Sequence, residues 1–123
     1  MSYSSEFGRI GESQALKWFL VHEPVKLIAR TYRCRAGEID LIFESLSQDP
    51  KSIELIFVEV KVRKNSKGIT GVYSLGWRKQ RRIKMTIQHF LLHYRGPATQ
   101  VRVDFLGQNG ATWAHRRNLK IID

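Results

Sequence analysis

GEIDLIF (residues 37–43) and SIELIFVEVKVR (52–63), joined by the loop-like ESLSQDPK (44–51), decide how this chain folds. Both stretches are dense in Ile, Leu, Phe and Val, as strands in the middle of a sheet are, yet they carry Asp40, Glu59 and Lys61. A buried charge without a partner costs several kcal/mol, so three of them in such strands require a reason. The loop between the two runs suits a hairpin, which makes them antiparallel neighbours.

Side chains alternate faces along a strand. Ile53, Leu55, Phe57, Glu59, Lys61 and Arg63 therefore share one face, and Ile56, Val58, Val60 and Val62 share the other. Both faces are apolar as far as Phe57, so the strand is central and covered on both sides. Only one face then turns charged. A strand running out into solvent would turn polar on both. Folding the hairpin brings Asp40 level with Glu59, and opposed residues have Cβ atoms about 5 Å apart, so Asp40, Glu59 and Lys61 converge on one patch if the register holds.

Outward from the hairpin, residues 5–21 read as a helix with Ser4 or Ser5 as cap and Phe7, Ile10, Ala15, Trp18 and Phe19 at helical spacing. Gly8 and Gly11 are unfavourable inside a helix, but with Ala15 they let its backbone approach a sheet closely. Glu12 then sits at the edge of that contact. VKLIARTYR (25–33) is a strand, and RAG (35–37) turns the chain into the hairpin. KNSKGITG (64–71) is a basic loop of the kind that closes on ligands. Ile83, Ile87, Phe90, Leu91 and Tyr94 mark one face of a second helix, stopped by Gly96-Pro97. VRVDFLG (101–107) and ATWAHRR (111–117), joined through Asn109-Gly110, are two final strands. The expectation is a single α/β domain over residues 1–123, a mixed central sheet flanked by helices in the order α-β-β-β-α-β-β.

The whole chain fits that reading. Its 123 residues suffice for one core, and 42% hydrophobic with 26% charged residues is a globular composition. The 21 Lys plus Arg exceed the 11 Asp plus Glu by +10, and the pI is near 10.2. Such a balance favours a polyanion, nucleic acid before a membrane surface. Cys34 is the only cysteine, no window has the roughly 18 apolar residues of a membrane span, and the start MSYSSEFGRIGES has no signal-peptide pattern. A reducing, cytoplasmic setting without membrane attachment is expected.

Two carboxylates held together repel, which raises their pKa values unless a cation settles between them. The oxygens on offer are hard ligands that suit Mg²⁺ or Mn²⁺, not Zn²⁺. His89 and His93 are four apart on the second helix but lack further ligands at zinc spacing. An ion held by the pair would activate water against a phosphodiester, with Lys61 orienting that water or stabilising charge on the phosphate. An Asp/Glu/Lys ion-pair network on an edge strand is the competing explanation. WRKQRRIK (77–84) adds Arg78, Lys79, Arg81, Arg82 and Lys84 at the start of the second helix, a ridge suited to phosphates, with Trp77 available to stack on a base. Arg63, Lys64 and Lys67, then Arg116 and Arg117, extend this track. Lys79, four residues before Ile83, is aimed at the sheet.

GEIDLIF followed by FVEVKVR resembles the signature of the PD-(D/E)XK nuclease superfamily, which includes restriction endonucleases and Holliday junction resolvases. Ile39 stands where the Pro of that name would be. GRIGESQA, GEIDLIF, FVEVKVR, RKQRRI and VRVDFLG, in this order, resemble the YraN family of small bacterial proteins. The resemblance implies a restriction-endonuclease-like core, Asp40 and Glu59 as ligands of Mg²⁺ or Mn²⁺, Lys61 as the catalytic lysine, Glu12 as the first-helix glutamate that joins the site as a further metal ligand, and Lys79 as its basic residue on the second helix. It implies a nuclease acting on DNA more than on RNA, including branched DNA. Resolvase-like relatives often act as homodimers, and a partner protein for activation is compatible with the same reading. The alternative is a module that binds nucleic acid without cutting it.

Overall fold

The computed structural model describes residues 3–63 and 76–119, with the backbone alone for residues 3–8 and residue 63. Its elements are α1 (Tyr3–His22), β1 (Val25–Cys34), β2 (Gly37–Ser45), a 3-10 turn (Pro50–Ser52), β3 (Glu54–Arg63), α2 (Trp77–His93), β4 (Gln100–Asn109) and β5 (Thr112–Arg116). The order is the expected one, with the 3-10 turn added inside the hairpin loop, where Asp49 caps it by accepting from the Lys51 amide.

One five-stranded sheet runs in the order β1-β2-β3-β4-β5. Only β3 and β4 are parallel. Parallel neighbours need a long crossover, and α2 lies in it. The sheet is thus mixed, with a helix packed on each side, as the restriction-endonuclease-like core requires. β3 is central and alternates cleanly: Ile56 and Val58 pack with Ala15 and Phe19 of α1, while Leu55 and Phe57 pack with Ile83 and Ile87 of α2. Apolar residues on both faces of the strand are the consequence of having a helix on each side.

α1 lies close on β3 because it has no side chain at the crossing point. A Cβ on Gly11 would overlap Val62. Ala15 and Phe19, one and two turns further on, are fully buried on the same stripe. Ile10 lies off this stripe and is exposed, contrary to the sequence pattern. The expectations for Gly8 and Phe7 concern side chains outside the described ones, and the loop 64–71 lies outside the described residues.

Two departures from ideal pairing position the site. The β1–β2 register runs through Arg30↔Leu41 and Tyr32↔Ile39 but leaves out Thr31, whose φ is 49°. A β-branched residue in that region is strained. Alternation in β2 breaks at the same level, since Ile39 and Ile42 enter the same core cluster although they are three residues apart. The second departure lies between β2 and β3, whose paired residues run from Glu44↔Leu55 only to Leu41↔Val58. β3 meanwhile stays paired with β4 as far as Arg63↔Asn109. β2 therefore leaves β3 at the level of Asp40 and Glu59, and a cleft opens there.

Candidate metal centre and nucleic-acid face

Where the two strands part, the amide of Val60 loses its sheet partner. The side chain of Asp40 replaces it, accepting from the Val60 N–H at 2.8 Å. This contact turns the Asp40 carboxylate towards β3, beside Glu59, so the register suits the convergence expected from parity. Glu59 is only 7% exposed, because it continues the face that holds Leu55 and Phe57. Burial pushes Asp40 up to about 6, although the Val60 amide and Lys79 oppose the rise. Burial, with the charge of Asp40 added, pushes Glu59 up to about 7 against the pull of Lys79. Both carboxylates line a cleft of about 530 Å³ together with Arg33, Cys34, Glu38, Lys61, Lys79 and Arg82.

The cation on the pair is Lys79. Its ammonium lies 3.2 Å from Glu59 Oε2, reaching down from the first turn of α2. Lys61 lines the cleft and is exposed, and among the described residues it forms no ion pair. Its side chain thus remains available to a ligand. Glu12 comes near enough to raise Asp40, but its carboxylate is engaged elsewhere, accepting from Thr31 Oγ1 at 2.7 Å with Arg30 at 4.0 Å. It stands beside the pair, and its hydrogen bond to Thr31 ties α1 to the strained residue that faces the break in β2. Arg33 and Glu38 close the other side of the cleft with an ion pair of 2.7 Å.

α2 begins with positive charge. Arg78, Lys79, Arg81 and Arg82 are exposed and Lys84 is half-buried. No acidic residue occupies the first turn, and Gly76 provides no side-chain cap. Cations at a helix N-terminus oppose its dipole, so this arrangement is slightly destabilising by itself and suits an anion placed there. Trp77 is 64% exposed, with the Arg78 guanidinium 6.0 Å from its ring centroid. The side chain of Arg63 is outside the described ones, and Lys64 and Lys67 lie outside the described residues. Arg117 is drawn away from any such track by an ion pair with Glu23 at 3.2 Å.

A second polar cluster escaped the sequence reading. Asp104 of β4 is fully buried and accepts from Arg102 Nε at 2.9 Å, Arg102 Nη2 at 3.1 Å, and the Asn118 amide at 2.9 Å, with His115 Nε2 at 2.8 Å. Arg102 also bridges Glu23 and Glu54. Among the described residues, Glu23, Asp104 and His115 bring ligand atoms within 4.8 Å of one another, close enough to hold a metal ion. The guanidinium groups of Arg102 and Arg117 already contact these carboxylates, and Asp104 is held below the usual carboxylate range chiefly by His115 and Arg102, against its burial. With Arg102 and Arg117 on its carboxylates and His115 on Asp104, the cluster ties the sheet to the turn after α1 and to the C-terminal segment. The detectable signal was a charge within the apolar run VRVDFLG, the same signal that marks Asp40.

Comparison with known proteins assigns the chain to a family. The model of the uncharacterised protein family UPF0102 matches residues 11–107, a span that contains Glu12, Asp40, Glu59, Lys61 and Lys79. A UPF0102 protein of Pseudoalteromonas translucida is 35% identical over 97% of this chain and 91% of its own length. One from Janthinobacterium is 40% identical over 73% of this chain and 68% of its own, and one from Caldicellulosiruptor bescii is 32% identical over 87% and 89%.

Proposed function

The chain belongs to the bacterial family UPF0102, the YraN family, and because that family carries no assigned activity we propose one from the site: metal-dependent hydrolysis of phosphodiester bonds, with DNA as substrate. The observation that carries the reading is the pair Asp40 and Glu59, set side by side where β2 leaves β3 and opening on a cleft lined by cations. Burial and repulsion from neighbouring carboxylates raise both Asp40 and Glu59, and a cation entering the cleft between them would relieve that cost.

The donor set fits Mg²⁺ or Mn²⁺. It consists of two carboxylates, hard oxygen donors, open on one side to substrate and water. When bound there, such an ion supplies charge neutralisation and a more acidic water. Asp40 is held in place by the Val60 amide, and Glu59 by the packing of β3, so both oxygens are preorganised. Lys61, exposed in the cleft wall, donates to a phosphate oxygen as negative charge grows on it in the transition state. The α2 ridge of Arg78, Arg81 and Arg82 holds the flanking phosphates. Glu12 serves as a supporting acid through Thr31. Among the described residues no helix is long and apolar enough to cross a membrane, and we place the reaction in the cytoplasm, where the lone Cys34 stays reduced.

Cleavage of linear duplex, single-stranded and four-way-junction DNA in Mn²⁺ tests the reading. The wild type is expected to cut at least one of them. Asp40→Asn and Glu59→Gln are expected to cut none, and Lys61→Ala to lose about 10²–10³ in rate, the usual effect of removing a transition-state donor. A second reading, a non-catalytic binding module, is favoured by the Lys79–Glu59 contact, which already satisfies part of the acidic charge. It is the outcome if the wild type binds every DNA and cuts none.

A further inference from the structure

Lys79 already engages one of the two carboxylates proposed above to hold the ion. Its ammonium is on Glu59 Oε2 at 3.2 Å and its charge acts on Asp40 as well. The Glu59 side chain is 9% exposed and that of Lys79 is 51% exposed, so the lysine enters a buried carboxylate from the solvent side. Its backbone is fixed, because Ile83, one helical turn on, is buried in the core. Its four-carbon stem is flexible, unlike the planar fork of an arginine.

We propose that Lys79 is an internal competitor for the cation site: it holds Glu59 while no metal is bound and swings to the mouth of the cleft when a divalent ion enters, so that it sets the metal affinity. The inference rests on the metal-centre reading above. An ammonium and a divalent ion cannot share one carboxylate at a few ångströms without strong repulsion in a low-dielectric site. The exposed half of the lysine gives it a route out without any backbone movement. Its destination is lined by Arg82 and Lys61, where a third cation meets the phosphates of a bound polyanion. Metal and nucleic acid then assist each other, since whatever draws Lys79 outward also vacates Glu59. Lys79 thus differs in role from Lys61, which lines the cleft wall without sitting on the buried carboxylate.

Calorimetric titration of Mn²⁺ into the full chain, without nucleic acid, tests this with wild type, Lys79→Met, Lys79→Arg and Asp40→Asn. Met keeps the stem and removes the charge, so affinity is expected to rise about tenfold, within the usual range of coupling between sites. Arg keeps the charge, and its affinity should not exceed the wild type. Unchanged or weaker binding by Lys79→Met, with binding still abolished by Asp40→Asn, overturns the role of Lys79 and leaves the metal centre standing. No uptake by either the wild type or Lys79→Met overturns both. Acetylation footprinting of the wild type gives a reading that needs no variant at position 79. Mn²⁺ should increase labelling of Lys79 several-fold and leave Lys51, exposed on the far turn, unchanged. Equal labelling of Lys79 with and without Mn²⁺ also overturns the proposal.

Discussion

Glu59 lies where β3 passes from core to cleft, and burial raises its carboxyl from 4.5 to about 7. A group whose folded pKa lies above its unfolded value binds protons more tightly when folded. Its contribution to stability is full below the unfolded pKa and is lost as pH rises through the folded one. In metal-free buffer the wild type should therefore lose stability between about pH 5 and pH 8, by up to about 1.4 kcal/mol for each tenfold difference in proton affinity between the folded and unfolded chain. Glu59→Gln, neutral throughout, should match the wild type near pH 4 and be the more stable protein at pH 8, as measured by urea unfolding at both values. A variant that is less stable at pH 8 would show that the Lys79 contact outweighs burial. Parity along the strand made Asp40 and Glu59 legible in the sequence, because alternation depends on neighbours in the chain. Lys61 was legible as part of the charged face, but not that Lys79 would take the carboxylate, since that depends on how α2 is laid over the sheet.

At the scale of elements, the order and nearly every boundary followed from periodicity. β3 read as a central strand and is one, and the hairpin across Asn109-Gly110 forms with Gly110 at φ 66°. Gly11 read as a place of close approach and is one, against Val62. Gly11→Val should clash there and destabilise the fold by about 1–3 kcal/mol, seen as a lower midpoint in thermal unfolding. An unchanged midpoint would mean that α1 can lift away from β3 without loss. The break of alternation between Ile39 and Ile42 was not legible. It lies level with the positive φ of Thr31 on the neighbouring strand, which nothing in the local sequence signals, since Thr is a poor residue for that conformation.

Across the whole molecule, the two acidic centres on the sheet have opposite electrostatics. Asp40 and Glu59 are raised by burial with limited compensation, whereas Asp104 is lowered by the cations packed on it. The first arrangement opens on a cleft, whereas in the second Asp104 is already bonded to Arg102 and His115. Asp104→Ala should leave Arg102 buried beside fewer partners and lower stability by about 3–5 kcal/mol, measurable by denaturant unfolding, while a small loss would show that Glu23 and Glu54 suffice for Arg102. The partners of Asp104 come from β4, β5 and the segment after it, so they were not recognisable until the strands were placed. The excess of +10 was legible from composition alone. Its concentration at the start of α2, next to the acidic pair, gives that number a position.

Whether Asp40 and Glu59 hold a divalent ion is decided by Mn²⁺ titration of the wild type beside Asp40→Asn. One saturable site per chain is expected in the wild type and none in the variant, with both equally folded. Equal heats from the two proteins, or no binding by the wild type at millimolar Mn²⁺, would contradict it.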